Sequence, residues 1–334
     1  MSVKKQKLIA IVGPTASGKS DLAVRIARQT FFSKNLRGRA KKFNGEIVSA
    51  DSRQIYRGLN IGSGKVGGRW KRFKIYDLRF KNIFVYKNIL HYCIDEISPK
   101  RQYSVAEYKQ CAERAIQDIT SRGKIPILCG GTGFWIDAVV YDMSLPEVLP
   151  DQALRKKLTK KTAAELLEIL KKLDPARAKT IEQKNPRRLI RAIEIARALG
   201  KVPSLKKKQK YDTLWLGIKK PKEELRRLIR IRLKKRLKQG MIQEIKELLR
   251  GGISHRRLQE LGLEYRFISL YLQKKISREQ MMQKLQTAIE QYARRQMVWF
   301  KRNKKIRWVT TANEAEKLVK KFLSPHQNIS NANQ

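Results

Sequence analysis

Gly13-Pro14-Thr15-Ala16-Ser17-Gly18-Lys19-Ser20 satisfies the pattern G-x-x-x-x-G-K-[ST], directly after an apolar run from Leu8 to Val12 and directly before the helical pattern of Leu22, Ala23, Ile26 and Ala27. That context is what the chemistry requires. The glycines let backbone amides converge on an anion at a helix N-terminus, Lys19 adds a point charge toward the terminal phosphates, and the Ser20 hydroxyl can hold Mg²⁺. The loop therefore binds a di- or triphosphate. The partner strand is unusual, because the run from Ile125 to Cys129 ends in Gly130-Gly131-Thr132-Gly133, where an ordinary ATPase carries a magnesium-holding aspartate. The acid at a strand tip is instead Asp51, within Ala50-Asp51-Ser52-Arg53-Gln54. A carboxylate there can act as general base, hold a metal-bound water, or cap the turn that follows.

These residues need elements to position them. Apolar runs bounded by turn residues at 8–12, 46–50, 125–129, 214–218 and 306–309 alternate with helical patterns, which predicts an α/β fold: a P-loop NTPase-like parallel sheet core covered by helices. Residues 145–210 show helical periodicity and no strand, and read as an inserted all-helical domain that divides the core into 1–144 and 211–323. In the insertion, Leu154, Leu158, Leu166, Leu170 and Leu173 predict one helix with a basic first half. Another opens at Asn185 as N-cap with Pro186 at its first position and stops at Gly200. Two long basic helices follow, near 221–239 and 277–302; the second carries Leu285, Ile289, Tyr292, Gln296 and Trp299 at helical spacing, so Trp299 reads as core. Residues 31–44 and 67–87 are basic excursions, the second patterned as a hairpin, and 324–334 reads as a disordered tail.

The 334 residues include 76 Lys and Arg against 29 acidic residues, a formal charge of +47, which points to a polyanionic partner. Hydrophobic residues make up 41% and are spread along the chain, so the charge sits on a folded globule and not on a basic tail. Cys93, Cys111 and Cys129 form no C-x-x-C pair and the histidines are only His91, His255 and His326, so by spacing a zinc site is not expected. No stretch approaches the roughly 20 apolar residues of a membrane span, and the first apolar run is too short for a signal sequence. A cytoplasmic, monomeric protein is expected.

The motifs together resemble the bacterial tRNA dimethylallyltransferases, also called tRNA isopentenyltransferases. In family order the chain has the phosphate loop, Asp51-Ser52-Arg53-Gln54-Ile55-Tyr56-Arg57-Gly58, Tyr103-Ser104-Val105-Ala106, Gly130-Gly131-Thr132-Gly133, Asn185-Pro186-Arg187-Arg188-Leu189-Ile190-Arg191-Ala192, and Tyr292-Ala293-Arg294-Arg295-Gln296 with Trp299-Phe300. The resemblance implies transfer of a dimethylallyl group from dimethylallyl diphosphate to the exocyclic N6 amine of the tRNA adenosine on the 3′ side of the anticodon. It implies that Asp51 takes the proton from the amine, that Lys19 and Mg²⁺ on Ser20 stabilise the leaving diphosphate, and that Thr15 and Thr132 bond at the reaction centre. Ser52, Arg53 and Gln54 would line the pocket for the adenine. The anticodon stem-loop would meet Arg155, Arg187, Arg188, Leu189, Ile190 and Arg191 of the insertion.

The chain departs from the family pattern at Ile61-Gly62-Ser63-Gly64-Lys65-Val66, at His91-Tyr92-Cys93-Ile94-Asp95 and at Gly262-Leu263-Glu264-Tyr265. Two other chemistries share the loop and the carboxylate: an isopentenyltransferase acting on free adenine nucleotides, and a P-loop small-molecule kinase. Neither needs the basic insertion. A non-catalytic RNA-binding NTPase would want the aspartate that the partner strand lacks.

Overall fold

Leu8, Ala10 and Val12 face one side of the first strand and Ile9 and Ile11 the other, and all five are buried. A strand apolar on both faces needs cover on both faces, which is the condition of a central parallel strand. The computed structural model describes residues 5–29, 31–34, 40–74 and 80–324. Its strands are β1 (Lys7–Val12), β2 (Phe31–Lys34), β3 (Ala40–Phe43), β4 (Gly45–Ser49), β5 (Arg69–Lys74), β6 (Phe80–Tyr86), β7 (Ile89–Tyr92), β8 (Ile125–Gly130), β9 (Asp212–Ile218) and β10 (Arg307–Val309). Among the described residues β10-β9-β1-β8-β4-β7-β6-β5 make one sheet, and β2 and β3 pair by themselves. From β10 to β7 every pairing is parallel. β5 and β6 extend the sheet as an antiparallel hairpin, with Trp70 opposite Phe84.

The chain divides into two compact units, Met1–Tyr141 with Gln209–Gln334, and Asp142–Lys208. In the larger unit, α1 (Lys19–Arg28) covers the face of Ile9, Ile11, Ile47 and Ile127 together with the last helix, Ala312–Leu323. The opposite face of Leu8, Ala10, Val12, Val48 and Leu128 packs on α2 (Val105–Ser121) and α3 (Gly133–Val140). The helices Lys222–Lys238, Met241–Arg250, His255–Leu261, Leu263–Leu272 and Arg278–Phe300 continue that layer. No helix among the described residues is long and apolar enough to cross a membrane. Residues 325–334 of the expected tail lie outside the described residues, as do 35–39 and 75–79 of the basic excursions.

The smaller unit holds α4 (Gln152–Leu158), α5 (Ala163–Leu173), α6 (Pro175–Thr180) and α7 (Pro186–Leu199). Its first leucine stripe belongs to two helices, not one. The hydroxyl of Thr162 accepts from the Glu165 amide while Glu165 accepts from the Thr162 amide, a capping box that starts a new helix where periodicity alone runs on. Asn185 caps α7 with Pro186 in its first turn. Leu189 and Ile190, expected at the RNA, are buried in this unit's core with Leu166 and Leu170. They lie on the inward side of α7, so only their neighbours meet solvent.

Candidate active site

Parallel neighbours bring their C-terminal tips to one edge of the sheet, where ligands of open α/β sheets bind. β1 ends in the phosphate loop, β8 in Gly130-Gly131-Thr132, and β4, paired with β8 through Ser49 and Cys129, ends at Asp51. Gly18 caps α1 at φ 90°, a left-handed conformation that glycine adopts without steric penalty. Next to β8 a side chain is impossible: a Cβ on Gly130 would lie 2.1 Å from the Ala50 carbonyl oxygen. The Thr132 amide then donates to that carbonyl at 3.1 Å, and Thr132 Oγ1 accepts from the Ser52 amide at 3.1 Å. Asp51, Ser52 and Thr132 are thereby one assembly.

Asp51 does cap its turn, since Oδ1 accepts from the Arg53 amide at 2.9 Å. Its second oxygen has no such bond among the described residues, so the cap orients the carboxylate and leaves Oδ2 for chemistry. Lys19 donates to the Pro14 carbonyl at 3.3 Å. Burial pushes its ammonium down from the ordinary lysine range; the Asp51 charge opposes that and the nearby Arg232 adds to it. Burial and Arg236 likewise push Arg232 down. Two desolvated cations held beside each other favour an anion between them. They open on a cavity of 840 Å³ lined also by Ser20, Lys65, Trp70 and Phe84. Ser17 Oγ, buried in the loop, has no hydrogen-bond partner.

The loop at 60–65, where the sequence departs from the family pattern, is fastened from beneath. The buried Glu244 accepts from the amides of Asn60 (3.0 Å), Ile61 (2.6 Å) and Gly62 (2.9 Å), and Arg236 donates to the carbonyls of Ile61 (2.6 Å) and Gly62. Lys65 is paired with Asp95, whose other oxygen accepts from Trp70 Nε1 at 2.9 Å. Gln54 and Arg232 both donate to the Gly64 carbonyl, at 3.3 and 3.2 Å.

Sequence reasoning missed four contributors. Gln296 was assigned to an apolar stripe, yet its Oε1 accepts from the Thr15 amide at 2.8 Å and its Nε2 donates to the Gly131 carbonyl at 2.9 Å. A glutamine at a core position is the signal that could have found it, because a buried amide must be paired. Burial and then the Asp51 charge push the Tyr292 phenol up to about 12. Arg232 and Glu244 carry no local signal. Trp299 is half-buried against Gly133, with Nε1 on Asp137 at 3.2 Å. Gln296→Leu keeps the volume but leaves one amide and one carbonyl unpaired, at about 1–3 kcal/mol each. We expect a lower melting temperature and roughly tenfold weaker diphosphate binding, read by thermal unfolding and by titration calorimetry.

In the smaller unit, Arg155 is bound to the buried Glu194 by Nε at 2.6 Å and Nη2 at 2.8 Å, and Arg191 reaches the same carboxylate at 3.3 Å. Those two charges are spent on packing α4 against α7. Arg187 and Arg188 are exposed, with Arg188 beside Glu182 at 3.0 Å.

A family model described as IPP transferase matches residues 54–303. A tRNA dimethylallyltransferase 2 of Shewanella sediminis is 38% identical over 304 residues, which cover 91% of this chain and 91% of that protein. The crystal structure of a tRNA delta(2)-isopentenylpyrophosphate transferase from Staphylococcus epidermidis is 30% identical, with a TM-score of 0.63 over 95% of this chain and 98% of that one. A eukaryotic dimethylallyltransferase acting on tRNA is similar in structure, with a TM-score of 0.67 and 25% identity over 88% of this chain and 70% of its own.

Proposed function

The chain belongs to the IPP transferase family and is a tRNA prenyltransferase, and from that premise we propose that its donor is dimethylallyl diphosphate and its acceptor atom N6 of the adenosine on the 3′ side of the anticodon. N6 attacks C1 of the allyl group, the C1–O bond breaks with its electron pair passing to diphosphate, and the N6 proton passes to Asp51. The amine lone pair is delocalised into the ring, so it is a poor nucleophile until that proton has an acceptor. The observation that carries the reading is the Asp51 oxygen left unbonded among the described residues, beside a phosphate loop whose Lys19 shares a cavity with the desolvated Arg232 of the Lys222–Lys238 helix.

Lys19 and the amides of Gly13 to Ser20 receive the diphosphate and stabilise the charge that grows on it as C1 departs. The Ser20 hydroxyl, with the phosphate oxygens, is a hard oxygen donor set of the kind Mg²⁺ takes, so the residues fit that ion. Mg²⁺ bound there would add a second positive charge against the leaving group. Thr132, fixed by Ser52, and Thr15, whose backbone Gln296 holds, would frame the reacting atoms. Ser52, Arg53 and Gln54 would line the adenine pocket. The base must leave its stack in the anticodon loop to reach it. The chain would act as a monomer, in the cytoplasm with its substrate.

The test is transfer of radiolabel from dimethylallyl diphosphate to an unmodified anticodon stem-loop, with AMP and ADP as rival acceptors. Label on the stem-loop adenosine alone is expected; label on free nucleotide alone, or turnover of ATP without transfer, would overturn the reading. Arg187→Glu combined with Arg188→Glu tests the smaller unit. We expect the KM for the stem-loop to rise roughly tenfold and its salt dependence to flatten by about one unit for each lost phosphate contact, with kcat retained.

A further inference from the structure

Spacing in the sequence argues against a metal centre, but the fold brings together three candidate ligands, one of them distant in the sequence from the other two. Cys93 follows β7, Glu96 lies in the turn beyond it, and Cys111 is on α2, yet a sulfur or carboxylate oxygen of each lies within 4.8 Å of the others. Glu96 is already oriented, because Oε1 accepts from the Cys93 amide at 2.8 Å while Oε2 meets Cys111 Sγ at 3.4 Å. The surroundings are apolar and aromatic. Tyr108 stacks on Trp135 with ring centroids 4.1 Å apart, and Tyr103 meets the same ring edge-on. The Tyr108 hydroxyl is wholly buried and has no hydrogen-bond partner. Tyr108 lies one turn before Cys111 on α2. An orphaned buried hydroxyl beside two thiols and a carboxylate wants an occupant.

We propose that Cys93, Cys111 and Glu96 form a partly buried site for a thiophilic divalent cation of the zinc class, with a fourth position left for water or a further oxygen ligand. Two thiolates and one carboxylate are a donor set for tetrahedral Zn²⁺, whose sulfurs stand about 3.8 Å apart at ordinary bond lengths. The side chains need close by only about 1 Å to reach that geometry. Binding transfers the two thiol protons to solvent as the metal–sulfur bonds form. A dication replaces two protons, so the net charge of the buried cluster does not change and burial adds no new penalty. Nothing is oxidised or reduced.

The site is joined to the catalytic edge through the Cys93–Glu96 turn. Cys93 and Asp95 both hold positive φ, 54° and 56°. The Asp95 amide donates to the Gln54 carbonyl and the Glu96 amide to the Ile55 carbonyl, each at 2.8 Å, and the Asp95 carboxylate pairs with Lys65. A metal that pins this turn would pin the floor beneath Gln54 and the wall carrying Lys65.

The test uses the full chain, reduced and metal-free, titrated with Co²⁺ and then Zn²⁺. The expected result is one equivalent of Co²⁺ with thiolate-to-cobalt charge-transfer absorption and the intense visible bands of a tetrahedral site, bleached by Zn²⁺, and a melting temperature raised by Zn²⁺. Cys111→Ser and Glu96→Gln should each weaken Co²⁺ binding at least tenfold; Glu96→Gln keeps both thiols, so a folding failure of one variant leaves the other to decide. Asp51→Asn should leave the spectrum intact, which separates this site from the phosphate loop. A spectrum showing only weak octahedral bands, or one unchanged in Cys111→Ser, would overturn the proposal. So would a count of one free thiol in place of three after purification in air, which would mark the pair as a disulfide.

Discussion

Asp51→Asn is expected to lower the rate of prenyl transfer by about 10²–10⁴ while binding of the anticodon stem-loop stays within about twofold, since a neutral amide removes a single charge that makes no phosphate contact. Asparagine keeps the cap on the Arg53 amide through its carbonyl oxygen. The turn therefore survives and the loss falls on the chemical step. Single-turnover transfer at saturating enzyme separates the two quantities, because it reads the chemical step with binding already complete. Loss of binding with an unchanged single-turnover rate would instead assign Asp51 to positioning the RNA.

A large stability effect is expected at Glu46, near the start of β4. Its carboxylate is buried and accepts from both Arg122 Nη1 (2.8 Å) and Nη2 (2.5 Å), from Lys124 Nζ (2.5 Å) and from the Tyr92 hydroxyl (3.0 Å). Burial pushes this carboxyl up, and the hydrogen bonds from Arg122 and Lys124 more than reverse it, leaving it below its ordinary value of 4.5. Glu46→Gln turns an amide donor toward a guanidinium and an ammonium. The expected loss is about 3 kcal/mol at neutral pH, the low end for breaking a buried pair, because Arg122 and Lys124 keep some contact with water. A carboxyl with a lowered native pKa stabilises fully above its unfolded pKa and loses that contribution as pH falls through the native one. The difference between wild type and variant should thus persist from pH 7 to about 4.5 and shrink below it. Denaturant titrations at a series of pH values check this, and a difference that grows toward low pH would contradict it.

How much of this was legible in the sequence depended on how local each signal was. The phosphate loop, its strand and its helix are one contiguous stretch, so motif and periodicity gave them together. The parallel core strands show as apolar runs because both their faces are covered. Asp51 was legible as the acid at a strand tip, but its orientation by Arg53 and its bond network with Thr132 required β4 and β8 to be neighbours. Gln296 lies 281 residues from Thr15, and only the packing of the Arg278–Phe300 helix against the loop reveals what it does. In the smaller unit, the family resemblance placed Arg155 and Arg191 on the RNA together with Arg187 and Arg188. Glu194, a single acid in a basic helix, divides them. The proposed thiol site was not legible for a related reason: ligand spacing rules describe sites built within one segment, whereas Cys93 and Cys111 meet across a turn and a helix.

The sheet has two open ends, and an unpaired strand edge is a template on which a second molecule can add its own strand. One end here is β10, only three residues long. The other is β5, where Arg69, Lys71 and Arg72 are exposed along the last strand. Two such edges brought together would set like charges opposite one another, and the three-residue end offers few backbone groups to hold a partner. The surplus of cations that suits a polyanionic substrate would thus also oppose edge-to-edge pairing of two copies of the chain, and where nucleic acid neutralises those charges the shortness of β10 would be the protection left.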